Sequence, residues 1–176
     1  MIYDIIYWPD PFLRIKANDV DLDNETLPLA EIIANMFETM KARGGMGLAA
    51  TQCGLNMRLL VIDTVQIGGK TKQAFINPVI KETTEKTILT EEGCLSFPGV
   101  FADVKRYHGV VVESKTLTGE TEEVILNGID AVCFQHELDH LNGVVFFDYL
   151  KPAKRQMVEQ KVRKNVKKME RRSKKR

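Results

Sequence analysis

Two histidines four residues apart, His136 and His140, flank Glu137 within QHELDHLNG at residues 135–143. On a helix, positions i and i+4 lie on one face, so this spacing aims two imidazoles at one point and sets Glu137 beside them. Two neutral imidazoles in this pattern bind a metal ion, and the intervening glutamate can act as a general base. The stretch therefore predicts a metal site with hydrolytic chemistry.

The residues around this motif indicate that its histidine face is buried. Three apolar residues repeat at helical spacing with the two histidines: Ile129, Val132 and Cys133. The alternative interpretation is a solvated helix face that happens to carry two histidines and a glutamate. The apolar neighbours disfavour it, because they extend the same face toward a protein core.

A catalytic metal usually has three protein ligands and an open position, so a third ligand is needed. A histidine six residues after the second, as in one class of metallopeptidases, would fall at Phe146, which cannot ligate. A downstream glutamate, as in another class, would be Glu159, which lies in a basic segment. Cys94 is the better candidate, because Gly93 before it frees the backbone to approach a ligand. A Cys-His-His set suits iron or zinc.

A third segment, GMGLAATQCG at residues 45–54, combines two glycines with small side chains and ends in a polar amide. Its alternative interpretations are a tight turn after a helix and a close strand crossing. A phosphate loop is disfavoured, because no Lys-Ser/Thr pair follows the glycines. Small side chains let a substrate backbone pass close to the chain, and the Gln52 amide could donate a hydrogen bond to an oxyanion.

The sequence predicts helices near both ends of the chain, with strands between them. Apolar periodicity predicts helices over 29–43, 128–141 and 152–172, and short β-rich runs at 58–63, 74–80, 86–90, 108–116 and 122–126. This order predicts an α+β fold, with mostly antiparallel sheets around a central metal-binding helix, an N-terminal helix and a C-terminal helix.

Composition places the chain among globular proteins, with 44% hydrophobic and 28% charged residues. No apolar run is long enough to span a bilayer. Residues 1–14 lack the basic start and apolar core of a secretory signal. Three widely spaced cysteines form a poor disulfide framework and fit a reducing compartment. We therefore expect a cytoplasmic protein that does not associate with membranes.

The net charge of +1 conceals two oppositely charged parts. Residues 151–176 contain 13 Lys+Arg and 2 acidic residues, which leaves 12 and 22 in residues 1–150. We expect a catalytic body over 1–150 and a basic C-terminal helix or tail over 151–176. Within the tail, an apolar stripe is predicted from Met157, Val158, Val162, Val166 and Met169. Two roles stay open for this tail: ribosome docking, or docking on the acidic body.

With these three segments in hand, the chain resembles the peptide deformylase family, in its bacterial type. The motifs occur in order as Gly45–Gln52, Glu92–Ser96 and Gln135–His140, and PDPFLR at 9–14 is similar to the family's N-terminal segment. The likeness covers most of residues 3–150. One departure lies at residues 99–101, Gly-Val-Phe, near which family members often carry an arginine beside the substrate cleft.

The resemblance implies removal of the formyl group from N-formylmethionine on nascent polypeptides, with release of formate. It implies one Fe²⁺ per chain, replaceable by Zn²⁺, Ni²⁺ or Co²⁺, and we expect a monomer. Its residue roles are metal binding by Cys94, His136 and His140, general base and acid catalysis by Glu137, and oxyanion stabilisation by the Gln52 side chain and the Leu95 N–H. A small-residue strand at 45–50 would pair with the substrate. The substrate pocket would comprise Met46, Gly47, Gly93, Ile129, Val132 and Cys133.

Two rival functions share some of these features. A metallopeptidase that cuts internal amide bonds would use the same helix motif, but it would need a third ligand after His140. A ribosome- or RNA-binding protein would act through the basic tail and keep its metal as a structural element. The chemistry of the third ligand and the presence of an open coordination position separate these alternatives.

Overall fold

A computed structural model describes residues 1–24 and 26–173 of the chain. Its three α-helices and seven strands are, in order, α1 Leu29–Ala42, β1 Gly47–Ala49, β2 Leu59–Asp63, β3 Lys72–Thr83, β4 Thr87–Gly93, β5 Phe101–Tyr107, β6 Gly109–Lys115, β7 Thr121–Asn127, α2 Ile129–Leu141 and α3 Pro152–Ser173. All three predicted helices and all five predicted strand runs are present, with ends shifted by a few residues.

Two antiparallel sheets surround the central helix α2, which confirms the predicted fold class. The larger sheet has the strand order β1-β2-β3-β6-β7, and β4 and β5 form a separate two-stranded sheet. The helix α2 packs against β1, β2, β7 and β5. One apolar core lies between α2 and the larger sheet, where the Phe75 and Phe134 rings meet edge to face at 5.0 Å. This core holds the predicted metal-binding helix against both sheets.

Strand β5 was not predicted, and its inward face explains why. Along the strand the buried side chains are Ala102, Val104 and Arg106, while the residues between them are exposed. A small residue and an arginine at core-facing positions weaken the apolar alternation that marks a strand. Instead, β5 forms because it pairs with β4, with Gly93 opposite Phe101 and Thr87 opposite Tyr107.

The C-terminal helix α3 packs on a second apolar core through Val158, Val162 and Val166. These valines contact a cluster that contains three phenylalanines: Phe97, Phe146 and Phe147. Met157 and Met169 are exposed, so the predicted stripe is wrong in including them. The stripe that packs is the i, i+4, i+8 row, which is narrow because most other positions of α3 are charged. Residues 174–176 lie outside the described residues.

Among the residues that the structure describes, no helix has the length and apolarity that crossing a bilayer requires.

Candidate metal centre

The helix α2 is buried around almost its whole circumference, including most of its ionisable residues. His136, Glu137 and His140 are 7%, 4% and 1% exposed. At the first turn, the Asp130 carboxylate accepts hydrogen bonds from the backbone N–H groups of Lys70 and Thr71, at 3.1 and 3.3 Å, and from the Thr64 hydroxyl. These bonds hold the 64–71 loop against the start of the helix that carries the motif.

Cys94 lies in a turn just after β4 and meets both histidines. Its Sγ lies 3.1 Å from His140 Nε2, and the candidate ligand atoms of Cys94, His136 and His140 all lie within 4.8 Å of one another. One soft sulfur and two imidazole nitrogens at this separation fit a tetrahedral transition-metal ion with one position open. Within residues 1–24 and 26–173, this is the group of His, Cys and acidic side chains that could hold a metal.

The alternative third ligands do not join this group. Phe146 is buried, and its ring stacks on that of His136 with centroids 6.1 Å apart. Glu159 lies on α3, where it pairs with Arg155 at 3.5 Å. Among the described residues, the metallopeptidase arrangement considered from the sequence therefore lacks its ligand after His140.

The orientation of His136 is set by a buried ion-pair network that sequence reasoning missed. His136 Nδ1 lies 2.8 Å from Glu92 Oε2. Arg106 donates two hydrogen bonds to the Glu92 carboxylate, from Nε at 2.7 Å and from a second nitrogen at 3.0 Å. With Nδ1 bonded to the carboxylate, His136 Nε2 is the atom free for a metal. Burial would raise the pKa of Glu92, but hydrogen bonds from Arg106 and His136 outweigh it and lower the pKa to about 2. Glu92 therefore remains a carboxylate.

The network continues outward to the surface. Arg106 also donates to Asp139 Oδ2 at 2.6 Å, and the Tyr149 hydroxyl donates to the same oxygen at 2.9 Å. The Arg106 guanidinium lies 4.8 Å from the centre of the Tyr149 ring. Nothing in the spacing of Glu92, Arg106 and Asp139 along the chain predicts that they meet, because each comes from a different element.

The two histidines differ in their proton affinity. Burial lowers the pKa of both, and it prevails at His140, whose pKa lies well below the usual value. At His136, hydrogen bonds with Cys94 and Glu92 outweigh burial and raise the pKa well above the usual value. The two imidazoles of the motif therefore lie in different electrostatic surroundings, with a carboxylate on His136 Nδ1 and no partner for His140 Nδ1 among the described residues.

Glu137 is a buried carboxyl group whose pKa burial raises to about 7. Its Oε2 atom and His140 Nδ1 have no hydrogen-bond partner among the described residues. Buried polar atoms without partners are rare and call for an explanation, such as a reactive role or an ordered water. A carboxyl group with a pKa near neutrality can exchange protons in both directions at physiological pH.

The glycine at position 47 makes room for Glu137. A Cβ atom at Gly47 would lie 2.7 Å from Glu137 Cγ and 2.8 Å from Cys133 Sγ. Contacts below 3.0 Å require something to shift, so a glycine at position 47 is required by its close packing against α2. Gly93 is likewise covered, since a Cβ there would lie 2.6 Å from the Phe101 ring.

The amide of Gln52 has one possible orientation. Its Oε1 accepts the Ala49 N–H at 2.8 Å, which turns Nε2 toward Cys94 Sγ at 3.4 Å and Ser96 Oγ at 3.2 Å. The Leu95 N–H makes no hydrogen bond to another described residue. Two donors from separate elements therefore lie beside the candidate metal ligands.

A cavity of about 490 Å³ brings these groups together. The six residues predicted to bind substrate all line it: Met46, Gly47, Gly93, Ile129, Val132 and Cys133. Burial raises the pKa of the Cys133 thiol well above its usual value, so this thiol is a neutral, apolar part of the wall. The structure adds wall residues that were not predicted, among them Ile67, Thr90, Glu91 and Phe101. Only Phe101 had a sequence indication, as a departure from the family pattern.

Comparison with known proteins agrees with this geometry. A family model described as polypeptide deformylase matches residues 2–156. The chain is 44% identical to a peptide deformylase of Acinetobacter baumannii (strain SDF) over 95% of this chain and 93% of the relative. The crystal structure of a peptide deformylase from Legionella pneumophila has a TM-score of 0.88 and 39% identity, covering 97% of this chain and 99% of that one. One from Ehrlichia chaffeensis has a TM-score of 0.85 and 32% identity, covering 96% and 98%. The chain therefore belongs to the peptide deformylase family of metal-dependent hydrolases.

Proposed function

We propose that this enzyme removes the formyl group from N-formylmethionine at the start of newly made polypeptides and releases formate. The observation that carries this proposal is the convergence of Cys94, His136, the buried Glu137 and two hydrogen-bond donors at one cavity, with His140 completing the group of metal-ligand candidates. That set matches the demands of amide hydrolysis, which needs a water nucleophile, a proton carrier and a stabilised oxyanion.

The residues that would hold the metal are Cys94, His136 and His140. A divalent ion held there would lower the pKa of a water molecule bound to it and would polarise a carbonyl oxygen. Glu92 contributes from behind His136, since its carboxylate accepts from Nδ1 at 2.8 Å and fixes the ring. The protein thus holds one soft thiolate ligand and two imidazole ligands in fixed positions.

Glu137 is the proposed proton carrier. As a carboxylate it takes a proton from water as that water attacks the formyl carbon, and it then hands the proton to the leaving amine. Its pKa of about 7 suits both directions of transfer. Because the group is 4% exposed, bulk water does not compete for that proton.

Gln52 and Leu95 are the proposed donors to the tetrahedral oxyanion. Gln52 Nε2 is held in place by the Ala49 N–H bond to Oε1, so its donation costs no reorganisation during the reaction. The Leu95 N–H follows Cys94 directly and has no other partner among the described residues. Loss of one donor of this kind typically costs about 10²–10³ in kcat.

The proposed substrate path lies between two open strand edges. Among the described strands, β1 pairs only with β2 and β4 pairs only with β5, and both border the cavity. An extended peptide can pair with such an edge through its main chain. The methionine side chain would then enter the apolar wall formed by Ile129, Val132 and Cys133.

The ion that we propose is Fe²⁺, with nickel, cobalt or zinc as replacements. A thiolate-bound ferrous centre is open to oxidation of both iron and Cys94, so activity should fade in air and persist without oxygen. Parallel inactivation curves in air and under argon, for iron- and nickel-loaded protein, measure this. Equal lifetimes for the iron form in both atmospheres would favour zinc or nickel as the working ion.

Formate release from formyl-Met-Ala-Ser by anaerobically purified enzyme tests the proposed reaction directly. We expect stoichiometric formate and a new free amine, with one metal ion per chain. The matched control is acetyl-Met-Ala-Ser, whose extra methyl group the cavity must accommodate next to the ligands. Cleavage inside the peptide without formate would instead identify a peptidase.

We further propose that the exposed cations of α3 bind ribosomal RNA and bring the enzyme to nascent chains in the cytoplasm. The valine stripe docks α3 on the body, and Lys154 and Arg155 pair with Asp103 and Asp148 at 3.9 and 3.3 Å. The remaining cations with described side chains on the distal part of the helix are exposed: Lys161, Arg163, Lys164, Lys167, Lys168 and Arg171. The ion pairs between α3 and acidic residues of the body involve Lys154 and Arg155 at its N-terminal end, so the distal cations remain available to phosphate.

Charge reversal tests the proposed binding of α3 to ribosomal RNA better than truncation does, because deleting 153–176 would also remove the buried valines. We expect the double variant Lys164→Glu, Lys168→Glu to lose ribosome co-sedimentation steeply, with normal turnover of a short formyl peptide. The control is Lys16→Glu, Lys41→Glu, two exposed cations on the body. If both double variants sediment equally with ribosomes, at low and at physiological salt, the proposal is wrong and α3 has a structural role alone.

A further inference from the structure

The turn that follows β4 carries two parts of the proposed catalytic machinery. It contains the candidate ligand Cys94 and, one residue later, the Leu95 N–H. The Phe97 N–H donates to the Cys94 carbonyl at 3.0 Å, so residues 94–97 form a β-turn with Leu95 at its second position. The direction of the Leu95 N–H is therefore set by the orientation of this turn.

Contacts from the N-terminal part of the chain hold one side of this turn. The Ser96 carbonyl accepts the Trp8 N–H at 3.1 Å, and the Ser96 hydroxyl accepts from Gln52 Nε2 at 3.2 Å. Phe97 is fully buried, and its ring meets that of Phe147 edge to face with centroids 5.1 Å apart. The residues after Phe97 are held from another direction.

A second turn follows at residues 97–100 and is contacted by the helix α3. Pro98 at its second position and Gly99 at its third, with φ of +69°, match the type II pattern. Types I and II differ in the direction of the central peptide, so the Pro98 carbonyl points differently in each. Asn165 donates from Nδ2 to this carbonyl at 2.8 Å. The bond therefore favours one of the two orientations.

The fold places Asn165 at this turn. The residue is half-buried and lies on α3 between Val162 and Val166, which pack on the apolar cluster that contains Phe97. A Cβ atom at Gly99 would lie 3.0 Å from Asn165 Nδ2, so the glycine also gives the amide room to approach. Both sides of the contact are thus fitted to each other.

The path from this bond to the proposed site is short. The two turns share Phe97, and Cys94 packs at the margin of the same apolar cluster. Close-packed interiors transmit a displacement to their neighbours, because they contain little free volume to absorb it. A change in the direction of the Pro98 peptide should therefore reach the peptide that carries the Leu95 N–H.

We propose that Asn165 is a positioning residue for the proposed deformylation, because its bond to the Pro98 carbonyl fixes the turn that presents Cys94 and the Leu95 N–H. Asn165 acts through the turn and touches no reacting atom. The inference rests on the proposed function, since the reaction is the one that Cys94 and Leu95 would serve. It gives α3 a role in the frame of the site that is separate from the RNA binding proposed for its exposed cations.

Two variants of Asn165 remove the donor with little change in side-chain volume: Asn165→Leu and Asn165→Asp. We expect kcat for formyl-Met-Ala-Ser to fall about three- to tenfold in each, well short of the about 10²–10³ that loss of an oxyanion donor costs. KM and metal content should change little, because binding groups are untouched. In zinc-loaded, ¹⁵N-labelled protein the Leu95 amide resonance should shift, which reports on the turn independently of activity.

Two further variants separate this bond from general loosening of α3. Val162→Ala weakens the packing of the same helix but leaves the Asn165 bond in place, so it should lower stability and keep kcat. Gly99→Ala disturbs the bond from the turn side and should lower kcat as the Asn165 variants do. In the double variant with Asn165→Leu, the two losses should fall short of additive, because both remove the same contact.

The outcomes distinguish this role from a structural one and from failure of the proposed function. An unchanged kcat in folded, metal-replete Asn165→Leu and Asn165→Asp overturns the positioning role and leaves the bond as a stabilising contact. An equal loss of kcat in Val162→Ala also overturns it, since loosening of α3 would then be the cause. Absence of formate with the wild-type enzyme overturns the proposed function itself.

Discussion

The helices α2 and α3 share the same backbone geometry but differ in how much of their surface is buried. In α2, 11 of 13 residues are buried, and these include His136, Glu137 and His140. In α3, the buried residues with described side chains are three valines, and the exposed positions carry most of the lysines and arginines of the helix. Burial gives α2 its chemistry, because desolvation moves proton affinities by amounts that exposed groups never experience.

This contrast also separates two sources of helix stability. Much of α2 is held by partners from outside the helix, such as Glu92 on His136 and Thr64 on Asp130. The helix α3 depends on one narrow apolar stripe, on ion pairs at its N-terminal end and on a hydrogen bond from Asn165 to the Pro98 carbonyl at 2.8 Å. Changes in α2 should therefore alter chemistry first, and changes in α3 should alter stability first.

The largest effect is expected from removing a ligand. Cys94→Ala, His136→Ala and His140→Ala should each abolish stoichiometric metal binding and activity, since a metal ion held by all three residues would also tie the end of β4 to α2. Elemental analysis and formate release measure both properties. Cys53→Ala is the matched control, a half-buried cysteine outside the ligand group, and should bind metal normally. A ligand variant with one metal ion and full rate would refute the assignment.

Glu137→Gln should retain the metal and lose about 10²–10⁴-fold in kcat, because the amide is nearly isosteric but cannot accept a proton. Steady-state formate release, with metal content measured in parallel, checks the prediction. A metal-replete Glu137→Gln enzyme with normal kcat would exclude Glu137 as the proton carrier.

Gly47→Ala should lower kcat by roughly tenfold to a hundredfold with the metal retained. The new Cβ must push Glu137 and Cys133 aside, and a displacement of a catalytic group by about 1 Å can cost that much. Gly45→Ala offers a comparison, because its Cβ would meet the flexible Leu95 side chain at 2.8 Å, so a smaller loss is expected. Equal losses in the two variants would mean that displacement of Glu137 is not the cause.

Val162→Ala should lower the free energy of unfolding by roughly 1–3 kcal/mol, because it opens a cavity at a fully buried position. Its kcat at 25 °C should be unchanged, in contrast to the α2 variants. Met157→Ala, at an exposed position on the same helix, should change stability by less than about 0.5 kcal/mol. Urea denaturation of the metal-loaded proteins measures both, and equal losses would show that the stripe is assigned incorrectly.

The smallest expected effect is a pH dependence at the base of α3. Partial burial would raise the pKa of Asp148, but hydrogen bonds from Arg14 and the Val145 N–H outweigh it and hold the pKa below its usual range. The resulting stabilisation is present above the unfolded pKa of about 3.9 and is lost as pH falls through the lower folded value. Between pH 6 and 3, wild-type stability should therefore fall more steeply than that of Asp148→Asn. Parallel urea titrations would contradict this if the two slopes agree.

The ligand motif on α2 was predictable from local spacing. His136 and His140 share a face because they are four residues apart, and that geometry holds in any helix. The third ligand, Cys94, was a candidate because the residues available after His140 could not serve, and the structure brings its sulfur to 3.1 Å from His140 Nε2. The proposed roles of Glu137, Gln52 and Leu95 stay predictions until the variants are measured.

Local patterns along the chain were enough to predict three helices, five strand runs and the spacing of one candidate metal-binding face. Which residues lie opposite each of these elements depends on the tertiary fold. Arg106 reaches Glu92 only because β5 pairs with β4, and Phe101 reaches the cavity mouth through the same pairing. Periodicity records which face of an element is buried, but not which distant residue fills the space against it. That partner is chosen by long-range packing, in which residues far apart in the chain compete for one volume.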